Sequence, residues 1–254
     1  MRTHQLSDSE HQNRYASEIT GARRAGDDQF QAWFNKSRDV RQSIVRGYWD
    51  LSSHILTPEV CRYMDHPEDK VSLEIGYGGG RILNAACDFF SHAVGIDIHT
   101  EREAVEAFLR SQGKQNFRLI QTQGRTIDVD SASIDFVYSF IVLQHLPNYE
   151  VLESYIKETY RCLKPGGVAQ LYVGKYSKLS RSQRVRCFLR GYSEIPDAKT
   201  NHTSLVVRLA RMKKLCGEHG FHVVATGTSY KQMPDGYCKS PGGQDYVTLI
   251  KKRV

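Results

Sequence analysis

A regular alternation of short apolar runs with helix-like segments, between residues 71 and 175, constrains the fold of this chain more than any other feature. Strands that alternate with helices in this way are typical of a parallel sheet covered by helices on both faces. Two more apolar runs near the end predict an antiparallel pair of strands at the sheet edge. The sequence therefore predicts a doubly wound, mostly parallel α/β fold with seven strands, from the runs VSLEIG, HAVGIDI, FRLIQT, SIDFVYSFIV, VAQLYVG, FHVVATGTS and QDYVTLIKK.

The 254 residues suit one large domain with an appendage. Residues 1–64 form the predicted N-terminal helical extension, whose first 30 or so residues are polar and are expected to be a frayed or loose helix. Residues 65–254 form the predicted main domain, with a basic insertion at about 175–202. After the insertion, TSLVVRLARMKKLCGEHG has a Thr/Ser start and a glycine stop, and is predicted to be a single helix.

The turn after the first predicted strand is rich in glycine, since Gly76, Gly78, Gly79 and Gly80 follow Glu74 within six residues. Ordering so much glycine is costly, because glycine loses more backbone freedom on folding than any other residue. Between the first strand of such a sheet and its helix, missing Cβ atoms let a ligand approach the backbone and the free N–H groups of the helix. The turn is therefore a predicted ligand site.

The class of ligand can be narrowed from the residues around this turn. Asp97 ends the second predicted strand, where a carboxylate can accept both hydroxyls of a ribose; the alternative interpretation is a helix N-cap. Arg81 stands where a nicotinamide fingerprint has its third glycine, and no Gly-Lys-Ser/Thr phosphate loop follows. Glu74 would repel a pyrophosphate but suits a cation. The pattern favours a cationic nucleoside ligand.

Four segments resemble, in order and spacing, the motifs of class I S-adenosylmethionine-dependent methyltransferases: LEIGYGGG, VGIDI, SIDFVYSFIVLQHLP and LKPGGVAQLYV. The resemblance covers about residues 70 to 175 and the two closing strands. It implies a Rossmann-like sheet, S-adenosylmethionine as the cofactor, and methyl transfer as the activity. The segment SPGGQDYV is also loosely similar to the tail of bacterial methyltransferases associated with surface-polysaccharide synthesis.

The resemblance implies a role for each residue of the cofactor site. The glycines would let the backbone approach the methionine end of the cofactor, and Glu74 would orient that end and its ammonium group. Asp97 would hold the ribose, and Ile98 would pack on the adenine. The complete set of predicted cofactor-binding residues is Glu74, Gly76, Gly78, Gly80, Asp97, Ile98, Gln123, Gly124, Ser139 and Phe140.

Gln123 and Gly124 depart from the usual family pattern. Many family members have Asp-Ala where this chain has Gln123-Gly124, the Asp reaching the adenine amino group. A glutamine amide oxygen can accept the same hydrogen bond. Ser139 and Phe140 would border the sulfonium and the substrate. The N-terminal helix that contains Tyr48 and Trp49 is interpreted either as a lid over the cofactor or as core packing.

Methyl transfer mainly requires alignment of the nucleophile and exclusion of water, and a weakly acidic nucleophile also gains from a base. His145, just past the fourth strand, is the first candidate base; the alternative is a histidine that caps a turn. His202, in the basic region, is the second candidate. Tyr192 and Tyr237 remain open, with no signal that distinguishes them.

Several chemistries are disfavoured by the residues around the fourth strand. SFIV stands where methyltransferases of planar amino groups have Asn/Asp-Pro-Pro-Tyr/Phe, and no clustered carboxylates are present there for a metal. The six cysteines are scattered and include no CxxC pair, so neither a zinc site nor a disulfide framework is expected. No apolar signal segment and no membrane span is predicted, and a cytoplasmic location is expected.

The positive charge is concentrated in one region. Residues 175–215 hold eleven basic and two acidic residues, a net charge of +9, so the rest of the chain carries −2 of the total of +7. Such a segment indicates an anionic partner or a solvated basic face. We expect O-methylation of a small or glycan-like anionic substrate. The alternatives are a nucleic-acid (RNA) methyltransferase that uses this segment, and a module that binds a nucleoside cofactor without catalysis.

Overall fold

The computed structural model describes residues 7–35, 39–176, 179–229 and 244–252. Its main sheet has seven strands in the order β3-β2-β1-β4-β5-β9-β8, parallel except for β9, which runs antiparallel to both β5 and β8. This confirms the predicted doubly wound fold and its antiparallel edge pair. The strands are β1 Val71–Ile75, β2 His92–Asp97, β3 Phe117–Gln121, β4 Ile134–Ser139, β5 Leu163–Val173, β8 Phe221–Thr228 and β9 Asp245–Lys251, and a separate hairpin is formed by β6 Tyr192–Glu194 and β7 Leu205–Val207.

Helices cover both faces of the sheet. Apolar side chains on one face pack with the helices α7 and α9, and those on the other face pack with α3, α5 and α6. A π-helical turn, Leu51–Ile55, continues α3. The helices are α1 Asp8–Arg24, α2 Asp27–Asn35, α3 Val40–Asp50, α4 Pro58–Cys61, α5 Arg81–Phe89, α6 Arg102–Ser111, α7 Tyr149–Cys162, α8 Arg181–Arg190 and α9 Leu209–Glu218.

The first helix corrects one expectation. Residues 8–24 are not a frayed segment but a regular helix that begins with a capping box, in which Ser7 and Glu10 satisfy each other's backbone N–H groups. His11, Tyr15 and Ile19 are buried along one side. These residues are four apart, so they form a single stripe on the helix, and tertiary packing of that stripe orders a segment whose composition is polar.

The segment after the basic insertion corrects a second expectation. TSLVVRLARMKKLCGEHG is not one helix, because Leu205–Val207 forms β7, and α9 begins only at Leu209. All three residues of β7 are buried, and they pair with Tyr192–Glu194. β-branched valines fit a pleated, buried strand better than a helix, so packing decided the outcome.

Two strand ends also differ from the predicted ones. β4 stops at Ser139 because Ile141 has a φ of 61°, which breaks the extended conformation. β5 begins at Leu163 rather than after the KPGG segment, with a register shift against β4 that takes up the extra residues. Within the ranges that the structure describes, no helix combines the length and apolar character that crossing a bilayer requires.

Candidate active site

The strand order reverses between β1 and β4, and a pocket opens at the carboxyl edge of the sheet at this point. Ligands of doubly wound sheets bind at this topological position. The residues that follow β1, β2 and β4 form its floor, and α1 and α2, here called the cover, lie over it. The cover contributes seven of the lining residues: His11, Gln12, Tyr15, Ile19, Trp33, Phe34 and Asn35.

Eight of the residues predicted from the sequence share this pocket. The lining includes Glu74, Gly76, Gly78, Asp97, Ile98, Gly124, Phe140 and His145. Four predicted residues, Gly80, Gln123, Ser139 and His202, do not line it in the described part of the chain. The structure therefore brings most of the predicted set to one place, and the remainder lie directly behind it or at its rim.

Glu74 is the most deeply placed charged group of the floor, since only 2% of it is exposed. Tyr138 donates a hydrogen bond to Glu74 Oε2 at 3.3 Å. Burial raises the pKa of Glu74 to about 8, although the nearby Arg81 guanidinium acts to lower it. The carboxyl group is thus mainly protonated at neutral pH, and a cation placed beside it would favour ionisation.

Asp97 holds the glycine-rich turn through main-chain hydrogen bonds. Its Oδ2 accepts from Gly78 N at 2.8 Å, and its Oδ1 accepts from Ile98 N at 2.7 Å. His99, fully buried next to it, hydrogen-bonds Gly78 O through Nε2 at 3.0 Å while its Nδ1 accepts from Glu101 N. A carboxylate has about four acceptor sites, so Asp97 retains capacity for a ligand hydroxyl.

Two features of the turn require glycine: its backbone has positive φ angles, and neighbouring side chains leave no room for a Cβ atom. Gly78 has a φ of +52°, and a Cβ there would lie 2.8 Å from Phe34 Cδ1 of α2. Gly76 has a φ of +81°, and its Cβ would lie 2.4 Å from Val142 Cγ2. Any other residue would be strained at these φ values; a Cβ at Gly78 would also push the cover away, and one at Gly76 would displace Val142 of the floor.

The predicted residues outside the lining have structural positions close to it. Gly80 is the N-cap residue of α5. Ser139 is buried and donates to Ile75 O at 3.3 Å. The side chain of Gln123 is exposed, and its main-chain oxygen accepts from Gln12 Nε2 of the cover at 2.8 Å.

A hydrogen bond connects His145 with His202, but it involves the main-chain oxygen of His202 and not its imidazole. His145 Nδ1 lies 2.7 Å from His202 O, an acceptor, so Nδ1 carries the proton. His145 Nε2 then accepts from Gln144 Nε2 at 3.0 Å, while Gln144 Oε1 accepts from Gln244 at 2.8 Å. This network leaves Nε2 as the basic nitrogen of His145, and the side chain of His202 is exposed.

The remaining tyrosine candidates do not enter the pocket. Tyr192 stacks on Tyr149, with ring centroids 4.3 Å apart, in the hairpin region. Tyr237 lies outside the described residues.

Comparison with known proteins places this site in a family. Residues 73–171 match the methyltransferase domain family. A SAM-dependent methyltransferase of Methanosarcina mazei has the same fold, with 22% identity, a TM-score of 0.59, and coverage of 78% of this chain and 99% of that one. Residues 73–171 thus match a methyltransferase domain, and this match and the fold support a class I S-adenosylmethionine-dependent methyltransferase family. The family and its fold imply S-adenosylmethionine as the cofactor of this methyltransferase.

Two further relatives show the range of the similarity. An S-adenosylmethionine-dependent methyltransferase of Clostridium acetobutylicum has 15% identity and a TM-score of 0.60, covering 85% of this chain and 97% of that one. Phosphoethanolamine N-methyltransferase 2 of Caenorhabditis elegans is 27% identical over 195 residues, which are 70% of this chain and 44% of that protein. This chain therefore spans less than half the length of that relative.

Several pocket residues of the methyltransferase fit a polar, cationic ligand. The Oδ1 atom of Asn35 and the hydroxyl of Tyr77 are buried in the lining and have no hydrogen-bond partner among the described residues. Buried polar atoms of this kind cost free energy until a partner satisfies them. Aromatic side chains, Tyr15, Trp33 and Phe34 among them, line the same space and can face a positive charge.

Of the N-terminal helices, interpreted from the sequence as a lid or as core packing, α1 and α2 cover the pocket, whereas Tyr48 and Trp49 of α3 do not line it in the described part of the chain. The ion pair that anchors α3 to the floor was not predicted. Arg81 forms a buried ion pair with Asp50, the last residue of α3, and Arg46 Nε lies 3.5 Å from the same carboxylate. Tyr15 lies with its ring centroid 6.1 Å from that of His145. The i, i+4, i+8 stripe His11, Tyr15, Ile19 was a signal that could have indicated a buried helix.

Proposed function

We propose that this chain transfers a methyl group from S-adenosylmethionine to a small, negatively charged substrate bound beneath the cover. One observation carries the proposal: the buried carboxyl of Glu74, the carboxylate of Asp97 and the imidazole of His145 line a single pocket that α1 and α2 cover. When bound, S-adenosylmethionine supplies an electrophilic methyl group. The residues of the chain would bind, orient and exclude water.

The floor offers a complementary charge for each end of the methionine part of the cofactor. Glu74 would accept the ammonium group, whose positive charge favours the ionised carboxyl. Arg81, which also lines the pocket and is held by Asp50, would pair with the cofactor carboxylate. Asp97 would accept the ribose hydroxyls through the lone pairs that Gly78 and Ile98 leave unused.

His145 is the proposed general base. Its Nδ1 donates to His202 O, so Nε2 is the atom that would take a proton from the substrate, after Gln144 turns aside. Burial raises the pKa of the neighbouring Tyr15 to about 12, so its hydroxyl stays protonated and serves as a hydrogen-bonding group. His202, in this proposal, orients His145 through its main-chain oxygen.

The cover favours a small substrate over a polymer. Tyr15 OH accepts from Asn201 N at 3.0 Å, and Arg14 donates to Ala198 O at 2.9 Å, so α1 bridges the floor and the basic insertion. A nucleic-acid strand would have to displace these contacts to reach His145. Lys199, two residues before Asn201 of the lining, is exposed and belongs to the basic segment.

The acceptor atom distinguishes two versions of the proposal. The relative from Caenorhabditis elegans is a phosphoethanolamine N-methyltransferase, whose named substrate is small and phosphorylated. The sequence analysis predicts a hydroxyl acceptor on a glycan-like molecule, supported by SPGGQDYV, of which residues 240–243 lie outside the described part. Both versions share the negative charge, and Nε2 of His145 would serve an amine or a hydroxyl.

The test is transfer of labelled methyl from S-adenosylmethionine to phosphoethanolamine, to phosphorylated sugars and nucleotide-sugars, and to total RNA. Label in a small acceptor, abolished in His145→Ala, supports the proposal and identifies the acceptor atom. Label that nuclease removes would favour the nucleic-acid alternative. Binding of the cofactor without transfer to any fraction would favour the non-catalytic module.

A further inference from the structure

The helix α8 presents the most exposed large apolar side chains of the described structure. Val185 is 61% exposed, Phe188 is 65% exposed and Leu189 is 77% exposed. The other exposed large apolar residues, Val40, Val45 and Tyr63, lie between 37% and 43% and on other elements. Three such neighbours on a ten-residue helix form an exposed apolar patch. Exposed apolar patches with a polar border mark interaction surfaces.

The patch lies on one side of the helix. With about 100° of rotation per residue, Val185, Phe188 and Leu189 fall within an arc of about 100°. The opposite side is anchored, because Cys187 is fully buried and packs with Leu179 and Val206. A capping box at Ser180 and a left-handed Gly191 fix the two ends of the helix. The apolar arc is therefore held outward by packing, not exposed by fraying.

Arginine borders the apolar arc on both sides, because at about 100° per residue Arg184 lies about 40° beyond one edge of the arc and Arg186 about 60° beyond the other. Arg181, Arg184, Arg186 and Arg190 are all exposed on the same helix. The stretch from residue 175 to residue 193 contains no acidic residue. Arg208 adds a further charge, with its guanidinium 5.1 Å from the centre of the Phe188 ring. The surface of α8 therefore combines the apolar arc with positively charged arginines at its border.

We propose that α8 is an interfacial helix that docks on an anionic lipid bilayer. Val185, Phe188 and Leu189 would enter the boundary between headgroups and acyl chains, and the arginines would pair with lipid phosphates and carboxylates. A second copy of this chain is a poor occupant, because like charges would face each other. Nucleic acid would pair with the arginines but would leave the apolar arc exposed to water. A bilayer can bind both the apolar arc and the arginines.

The test is flotation of the full chain with vesicles of phosphatidylcholine alone and of phosphatidylcholine with phosphatidylserine. We expect binding to the anionic vesicles that falls as salt rises. Phe188→Ser with Leu189→Ser should weaken that binding about tenfold or more, and so should Arg181→Gln with Arg186→Gln, which removes two exposed charges at the apolar arc. Val45→Ser on α3 and Arg62→Gln just after α4, both at exposed positions, are the matched controls and should bind as the unmodified chain does.

A second measurement keeps the proposal testable if a variant is hard to purify. In Phe188→Trp, tryptophan emission should shift to shorter wavelength with anionic vesicles, in excess of any change from Trp33 and Trp49 in the unmodified chain. Equal behaviour with both vesicles, or loss in the controls as well, would overturn the proposal. So would binding to single-stranded RNA that depends on the arginines but not on Phe188 and Leu189. Because these experiments measure docking alone, their outcome is independent of the proposed methyl transfer.

Discussion

The floor and the cover of the pocket are stabilised in different ways. In the floor, main-chain groups bond to side chains of the same strand ends, as when Gly78 N and Ile98 N donate to Asp97. In the cover, side chains reach across the pocket to main-chain groups far away in sequence. His11 Nε2 lies 2.7 Å from His145 O, and Gln12 donates to Gln123 O at 2.8 Å.

Because of this difference, the floor and the cover are expected to have different roles. The floor is determined by the turn geometry after β1 and β2, so it can exist whether or not a ligand is bound. The cover depends on long-range contacts at its rim, among them Thr20 with Glu101 at 2.7 Å, and has few main-chain bonds to the sheet. Elements held in this way open at lower free-energy cost than core strands. We infer that the floor determines cofactor binding and the cover determines access.

The largest expected effect concerns the point where the N-terminal extension meets the floor. Asp50→Asn removes the charge that compensates Arg81 and leaves a buried cation in α5. Breaking a buried ion pair in this way should lower the free energy of unfolding by about 3–5 kcal/mol. Denaturant titration measures it. An exposed pair, tested with Glu106→Gln, is the control and should cost less than about 1 kcal/mol. Equal losses would contradict the anchoring role of Asp50.

The second effect tests the chemistry at the boundary of floor and cover. His145→Gln should lower kcat by about 10²–10⁴-fold while leaving cofactor affinity nearly unchanged, because a positioned base acts mainly in the transition state. His222→Gln, at an exposed histidine on β8, is the matched control. His202→Ala should cost far less than His145→Gln, since it retains the main-chain oxygen that binds Nδ1. A loss in His202→Ala as large as in His145→Gln would reverse these assignments.

The parts of the site that sequence could predict are local. The glycine turn, Asp97 and His145 follow strands whose apolar runs are continuous, so their place at one sheet edge follows from the fold class. The part that α1 plays in the cover could not be predicted, because α1 is polar and is ordered by only three buried residues. The pairing of Asp50 with Arg81 spans 31 residues, and no local pattern specifies it. β7 was missed because its three residues fit the helical pattern of α9 equally well.

The third effect separates the backbone of the floor from its contact with the cover. Gly78→Ala places a Cβ at a positive φ and against Phe34, whereas Gly113→Ala has a φ of +76° and nothing within 4 Å. Both should cost about 1–2 kcal/mol of stability for the left-handed conformation. Only Gly78→Ala should also weaken cofactor binding, as calorimetry would measure. The same loss of affinity in both variants would mean that the cover does not constrain the turn.

The fourth effect is a pH dependence from Glu74. Its pKa is about 8 in the folded protein and near 4.5 when unfolded, so the folded state binds the extra proton between these values. Its contribution to stability is therefore fully present below about pH 4.5 and is lost as the pH rises through about 8. In Glu74→Gln the fall in melting temperature over this range should be shallower. Parallel melting curves for the two proteins would contradict the assigned protonation.

The measurement that tests the central claim most directly is calorimetric titration of S-adenosylmethionine into the unmodified chain and into Asp97→Ala. The account predicts binding at one site per chain, weakened about 100-fold in the variant, because charge-assisted hydrogen bonds to a ligand are lost and the turn at Gly78 loses its acceptor. Thr100→Ala, a neighbouring exposed position, should bind as the unmodified chain does. Equal affinity in Asp97→Ala and the unmodified chain would show that the pocket does not hold the cofactor as described.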